Sequence, residues 1–237
     1  MLDEQYLDRG AAPSFERPTV CAPRSGVITQ IDHKALVRIA AAGECVLTLL
    51  PALGEFVPAG APLFEVSGKV ERLDVDAAIA SIQLGLERTL DQDMAYGLRM
   101  LVDIAERSLS DGPFLDPTTA VQAIDRLYDC LRQLAPRPFP DGRHRDAKGE
   151  VRLVTQAMTW EEYVHLAFDE IRIAGAGSPQ VARRLHAALE DLLTVAPPDR
   201  KQSLQEQLHS LLAGAQDELT EERDRLYSSR SDRSGIG

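Results

Sequence analysis

Residues suited to chemistry are concentrated between Glu87 and Arg126, where acidic, arginine, hydroxyl and amide side chains recur at helical spacing. If several of them were buried together, they would form an acid/base or small-ligand site. The alternative is a structural set of helix caps and ion pairs, which the sequence favours. This polar set comprises Glu87, Arg88, Gln92, Asp93, Arg99, Asp103, Asp116, Thr118, Thr119, Asp125 and Arg126.

Two neighbouring helices must position most of this set. Arg99 and Asp103 have the i, i+4 spacing of helical ion pairs, and Asp125 with Arg126 lies on the next predicted helix. We therefore expect Asp125 and Arg126 to face Arg99 and Asp103 across the helix pair. Asp116 precedes Pro117, the combination expected at a helix start, so Asp116 is predicted to cap the second helix.

Other motifs predict no defined reaction. The run from Gly175 to Gly177 begins like a dinucleotide fingerprint, but it follows a predicted helix instead of a strand. His144-Arg-Asp has the letters of a kinase catalytic loop without the Gly-rich loop that accompanies it. The histidines form no HExxH or HxH pair and the cysteines no CxxC pair. The sequence thus predicts no catalytic residue, no metal site and no cofactor.

Composition limits the class of protein. The 237 residues are 44% hydrophobic, enough for a substantial core, and the formal charge of -11 opposes binding to nucleic acid or an anionic membrane surface. Cys21, Cys45 and Cys130 are odd in number and widely spaced, which favours a reducing compartment. No run approaches the roughly 18 apolar residues of a membrane span. The sequence as given predicts a soluble, cytoplasmic polypeptide.

The hydrophobic pattern predicts an α+β protein with a small β module ahead of a mostly helical region. Its alternating runs predict strands over Thr19–Ala22, Gly26–Ile31, Cys45–Leu50 and Pro62–Val66, with one short helix over Asp32–Ala42. The predicted segments are a flexible lead-in (1–17), the β module (18–70), a helical region (74–136), a loop (137–149), a strand with further helices (150–226) and a disordered tail (228–237).

Local signals define several helix ends. Ile79, Ile82, Leu86 and Leu90 fall on one helical face, so a helix is expected over Val75–Leu90. Thr159-Trp-Glu-Glu162 has capping-box spacing and opens a later helix. Gly175 and Gly177 are expected to end that helix in left-handed conformations. The strand in this part is expected over Glu150–Val154.

The run GEFVPAGAPLFEV (54–66) resembles lipoyl and biotinyl carrier domains and their barrel-sandwich relatives. The resemblance implies a small barrel-sandwich-like module. In the carriers, a lysine on an exposed hairpin after this run bears the cofactor. Lys69 follows the run one residue early and lacks the Asp-Lys-Ala or Met-Lys-Met context, so a modified Lys69 is a disfavoured alternative.

A wider resemblance covers residues 22 to 193. It is carried by SGVITQID (25–32), GEFVPAGAPL, ERTLDQDMAYGLRMLVDIAERSLS, DPTTA (116–120) and IRIAGAGSP (171–179). Together these runs resemble the bacterial family of predicted integral membrane proteins designated domain of unknown function 2254. The resemblance implies that transmembrane helices precede this region. Members tend to have an asparagine where this chain has Leu115, and a shorter loop before it.

These observations lead to three functional hypotheses. The first is an interaction, regulatory or assembly module without catalysis, on the cytoplasmic face of a bacterial inner membrane and attached through segments outside this chain. The second is an enzyme or small-ligand binder that uses the polar set, and the third is a carrier modified on Lys69. Apolar stripes on the last helices are also compatible with a homo-oligomer.

Overall fold

A computed structural model describes residues 18–110 and 115–234. It divides the chain into two compact units. The first unit comprises residues up to Arg88 together with Gly142–Gln156, and the second comprises Thr89–Asp141 and the chain from Ala157 onward. The predicted lead-in (1–17) lies outside the described residues. The division differs from the expected linear order, because a hairpin late in the sequence returns to the first unit.

The described part of the first unit contains two open sheets, two α-helices and one 3₁₀ turn. Its strands are β1 (Thr19–Cys21), β2 (Gly26–Ile31), β3 (Cys45–Leu49), β4 (Phe56–Val57), β5 (Pro62–Gly68), β6 (Ile82–Gly85), β7 (Arg143–Arg145) and β8 (Val151–Val154). Helices α1 (His33–Ala42) and α2 (Val75–Ala80) and a 3₁₀ turn (Val70–Arg72) connect them. The four strands predicted in the β module are confirmed to within one or two residues.

The larger sheet has the order β1-β5-β3-β8-β7, and the smaller has the order β4-β2-β6. The β3–β8 pair is parallel, with Leu47 opposite Leu153, and the remaining pairs are antiparallel. No closed barrel forms within 18–110 or 115–234. The fold is therefore mixed α+β, as expected, with two open sheets in place of a barrel.

The core of the first unit lies between the strands and α1. Alternation along β3 buries Cys45, Leu47 and Leu49, and the adjacent Leu63 and Phe64 of β5 are both completely buried. Helix α1 adds Leu36 and Ala40 from one face, and the Asp32 side chain accepts a hydrogen bond from the Ala35 amide at its start (2.9 Å). These contacts fix α1 against β3 and β8, leaving its opposite face to solvent.

The helix predicted over Val75–Leu90 is wrong beyond Ala80. Helix α2 ends there, and after Ser81 the chain forms β6, which pairs with β2. Ile82 and Leu84 are buried while Gln83 is exposed, so the alternation of a strand overrides the helical spacing. Gly85 permits the close pairing, since a Cβ there would lie 2.7 Å from Thr29 Cγ2. Leu86, counted in the helical stripe, is 96% exposed.

The second unit is helical in its described residues. Its helices are α3 (Met94–Leu109), α4 (Pro117–Leu134), α5 (Trp160–Ala174), α6 (Pro179–Val195), α7 (Lys201–Glu218) and α8 (Glu222–Ser228), with a 3₁₀ turn at Pro198–Arg200. Their apolar faces form one core that includes Leu98, Ile124, Phe168 and Leu189. The expected starts after Asp116 and at the Thr159–Glu162 capping box are confirmed.

Three local expectations differ from the structure. Gly175 ends α5 at a φ of −96°, so it is not left-handed. A glycine is needed there for space, because a Cβ would lie 2.5 Å from Val181 Cγ1. The predicted loop over 137–149 contains β7, which pairs with β8. Within the predicted disordered tail, the Asp232 amide donates to the Arg183 carbonyl (3.2 Å), and residues 235–237 lie outside the described part.

Candidate functional site

Arg99 on α3 is the centre of the densest part of the polar set. Its Nε donates to Asp103 Oδ1 at 2.7 Å and its Nη2 to Glu106 Oε2 at 3.1 Å, while Nη1 bonds Glu170 on α5. One guanidinium thus bridges three carboxylates from two helices. Burial and the neighbouring Glu170 raise the pKa of Glu106, and the Arg99 charge opposes this rise. Arg99 therefore links α3 to α5.

Asp93 and Asp116 each accept hydrogen bonds from backbone amides at the start of a helix. Asp93 is 5% exposed and accepts from the Tyr96 amide at 2.9 Å, which caps α3. Asp116 accepts from the amides of Thr118 (3.1 Å) and Thr119 (3.2 Å) and from Thr119 Oγ1 (2.6 Å), which caps α4. The Thr119 and Thr118 bonds hold the pKa of the Asp116 carboxyl below its usual value. Both residues thus perform a structural role at helix ends.

Asp125 pairs with α6 and not with α3. Its Oδ1 accepts from Arg184 Nε at 2.6 Å, and the Arg184 guanidinium lies 5.1 Å from the centre of the Tyr128 ring. Arg184 is 7% exposed, so Asp125 neutralises a cation in the helix interface. Arg126 lines a shallow depression of about 280 Å³ beside Thr119.

The polar set is therefore not gathered into one cleft. Glu87 and Arg88 belong to the first unit, whereas Gln92 and the later members belong to the second. Asp125 was expected to face Arg99 and Asp103, but it pairs with Arg184. The reason is packing: α3 contacts α5 as well as α4, and its polar edge meets Glu170 on α5. Arg126 lies with Ile104 of α3 beside one depression.

Lys69 has a structural partner close to the sheet. Its Nζ forms an ion pair with Glu44, which also contacts Arg72. The paired cations hold the pKa of the Glu44 carboxyl below its usual value, with Lys69 the main cause. Glu44 itself has a φ of 52°, so it occupies the tight turn between α1 and β3. Lys69 is thus part of a surface ion-pair set at this turn.

The first unit contains a groove that the sequence did not predict. It lies between α1 and the β7–β8 hairpin and has a volume of about 920 Å³. His33, interpreted as isolated in the sequence, stacks there on His144 with ring centroids 4.5 Å apart. His144 Nε2 lies 3.1 Å from Thr155 Oγ1. Burial and the neighbouring His144 lower the pKa of His33, against an opposing effect of Asp32. Nothing in the spacing of the two histidines could have indicated the pair, because the hairpin was predicted to be a loop.

Comparison with known proteins places the chain in a family. Residues 3–191 match the family model DUF2254, described as a predicted membrane protein. The chain belongs to this family. It is also 31% identical over 233 residues to uncharacterized proteins of Mycobacterium bovis and Mycobacterium tuberculosis. These alignments cover 94% of this chain and 44% of each relative.

The DUF2254 chain thus spans less than half the length of the curated relatives it matches. No solved structure matches it. Across residues 18–110 and 115–234, no helix has the length and apolar character needed to cross a membrane. The same part of the DUF2254 chain holds no group of three or more His, Cys, Asp or Glu side chains arranged to bind a metal ion.

Proposed function

We propose that this chain is an interaction or regulatory module of a membrane-associated protein, located on the cytoplasmic face of the bacterial inner membrane. Membership of a predicted membrane protein family supports the membrane association. The polar set supports a role without catalysis, because its best-placed members bridge helices or cap them. Attachment would come from parts of the full protein outside these 237 residues.

An exposed apolar stripe on α3 is the observation that carries the interaction role. Met94, Met100 and Ile104 are 44%, 42% and 45% exposed, and helical geometry places them with Gly97 and Leu101 along one side of the helix. This side borders the face of α3 that is buried in the core, and Leu101 at the border is partly buried against that core. Contiguous exposed apolar surface commonly marks a contact with another protein segment.

The occupant that we propose for this stripe is another part of the same full-length polypeptide. The chain accounts for 44% of the length of its relatives, so more than half of each relative lies outside the matched region. Because that additional chain is covalently attached, its effective concentration near the stripe is high, which favours packing against it. A second copy of the domain is the competing occupant, and the experiment below separates the two.

Site-specific photo-crosslinking tests the docking. With a photoreactive phenylalanine analogue at Met100 in the full gene product, we expect cross-links to segments outside residues 1–237, identified by mass spectrometry of the digested protein. The matched control is the same analogue at Gln205, an exposed position on α7, which packs against α5, α6 and α8. Cross-links to a second copy of this domain, or equal yields at the two positions, would overturn the proposed occupant.

The small-ligand or enzyme hypothesis has less support. It requires Asp93, Arg99, Asp103 and Asp116 to line one concave pocket. Asp93 and Asp116 instead cap different helices, and Asp103 forms its pair on the outer side of α3 with a side chain 42% exposed. Nor does the pairing of Lys69 with Glu44 favour the carrier hypothesis.

A further inference from the structure

The groove of the first unit is lined by two surfaces that bring cations together. On α1, Lys34 and Arg38 are i, i+4 neighbours, so their side chains lie one helical turn apart on the same side. From the β7–β8 hairpin, Arg145 and Lys148 face them across the groove. The stacked imidazoles of the groove lie between the two surfaces and are half-buried.

The carboxylates of the groove are already engaged. Asp32 accepts from the Ala35 amide at the start of α1, and Asp146 binds Arg152 Nε at 2.8 Å as well as two turn amides. Within the described residues, Lys34, Arg38 and Lys148 form no ion pair or hydrogen bond through their side chains. The groove is therefore a cationic surface in a chain whose formal charge is -11.

We propose that this groove binds a phosphate-bearing anion, either a soluble phosphorylated compound or the headgroup of an anionic lipid. Arg38 supplies the planar fork that matches phosphate oxygens, and Lys34 and Lys148 supply point charges on opposite sides. The imidazole nitrogens of His33 form no hydrogen bond within the described residues and add polar groups at the floor. A groove of about 920 Å³ holds a phosphoryl group together with the molecule that carries it.

The overall charge of -11 repels anions. Anion binding must therefore come from the local arrangement of the groove's cationic side chains. Four cations on two rigid elements provide that arrangement, since α1 is anchored by Leu36 and Ala40 and the hairpin by the pairing of β8 with β3. Little rearrangement is then needed on binding, which lowers the entropic cost of holding the ligand.

Two binding measurements on the 237-residue chain test the proposal and separate the two ligand sources. The first is calorimetric titration with inorganic pyrophosphate, and the second is co-flotation with phosphatidylglycerol vesicles against phosphatidylcholine vesicles, both near 0.1 M salt. The test variant is Arg38→Gln with Lys148→Gln, which lowers the net charge by about two, as the control does. The matched control is Arg223→Glu, an exposed arginine of α8 in the second unit.

We expect at least one of the two probes to bind, and we expect the double variant to weaken that binding more than about 10-fold, equivalent to about 1.4 kcal/mol. The Arg223→Glu control should bind as the parent chain does. Binding of pyrophosphate alone assigns a soluble ligand, and binding of the vesicles alone assigns a lipid headgroup. If neither probe binds, or if the double variant binds as well as the control, the proposal is overturned.

Because both substituted side chains are exposed, the double variant should fold, and far-ultraviolet circular dichroism checks this directly. The single variants Arg38→Gln and Lys148→Gln provide a second, milder test, each with a smaller loss in the same direction. The groove lies wholly in the first unit, whereas the α3 stripe lies in the second. Failure of anion binding therefore leaves the docking proposal standing, and the reverse is also true.

Discussion

Replacing Asp125 by alanine is expected to lower the free energy of unfolding of the second unit by about 2–3 kcal/mol. The substitution removes the carboxylate that binds Arg184 Nε at 2.6 Å. The Arg184 side chain is 8% exposed, so it cannot regain water without disturbing the contact between α4 and α6. Tyr128, with its ring centre 5.1 Å away, offsets part of the loss.

A rescue experiment shows whether the loss of stability comes from an unpaired buried cation or from a general packing defect. Replacing Arg184 by methionine in the Asp125→Ala background removes the buried charge, and more than half of the lost stability should return. Urea unfolding followed by the fluorescence of Trp160 measures both variants, because it is the chain's one tryptophan and is buried in the second unit. An unchanged midpoint for Asp125→Ala would contradict the structural role assigned to this residue.

Replacing Arg99 by methionine is expected to cost about 1–2 kcal/mol at neutral pH and low salt, and less in acid. The variant leaves Asp103, Glu106 and Glu170 close together without their shared cation. The three side chains are 35–45% exposed, so solvent screens part of their repulsion and keeps the cost moderate. High salt should reduce the cost further.

The direction of the pH dependence follows from Glu106. Its folded-state pKa is raised, chiefly by burial and then by Glu170, so its contribution to stability is present below the unfolded-state pKa and is lost as pH rises through the folded-state value. Without Arg99, which lowers this pKa, the rise is larger. The penalty of the variant should therefore grow from about pH 4 towards neutral pH.

The matched control for this measurement is Arg107→Met. Arg107 is an exposed arginine on the same helix, and its side chain has no partner among the described residues. Its replacement should change the free energy of unfolding by less than about 0.5 kcal/mol at either pH. Equal changes in the free energy of unfolding for Arg99→Met and Arg107→Met would show that the ion pairs between α3 and α5 do not stabilise the fold.

Local signals in the sequence were sufficient for most element boundaries. Asp116-Pro117 and the Thr159–Glu162 capping box define helix starts through bonds made within four residues, so no tertiary information is needed. The same holds for strands such as β3, where Cys45, Leu47 and Leu49 are buried and alternate with partly exposed Val46 and Thr48. The helix predicted through β6 failed because Ile82 fits the helical spacing from Ile79 and also alternates with Leu84, and pairing with β2 decided between the two periods.

The candidate sites depended on contacts that local patterns do not encode. Arg184 pairs with an aspartate 59 residues away, and Arg99 pairs with Glu170 71 residues away. The anion groove requires the parallel pairing of β3 and β8, which brings residues 142–156 back to the first unit. The net charge of -11 is a sum over the whole chain and does not reveal a local cationic surface. Composition alone therefore indicated that anions would not bind.

The first unit has a cationic groove. Ion pairs, helix caps and a common core stabilise the second unit. In the proposed arrangement, the exposed stripe of α3 packs against the remaining chain of a membrane-associated protein. The phosphate-binding proposal and the docking proposal concern different units, so each contributes separately to a regulatory role. Association with a membrane is the claim on which this role depends.

Fractionation of cells that express the full gene product at its natural level tests that claim most directly. We predict that the product sediments with membranes, stays there after extraction with alkaline carbonate, and requires detergent for release. The 237-residue chain expressed alone provides the comparison, and it should be in the supernatant either before or after carbonate extraction. A full gene product that remains wholly in the supernatant before extraction would contradict the account.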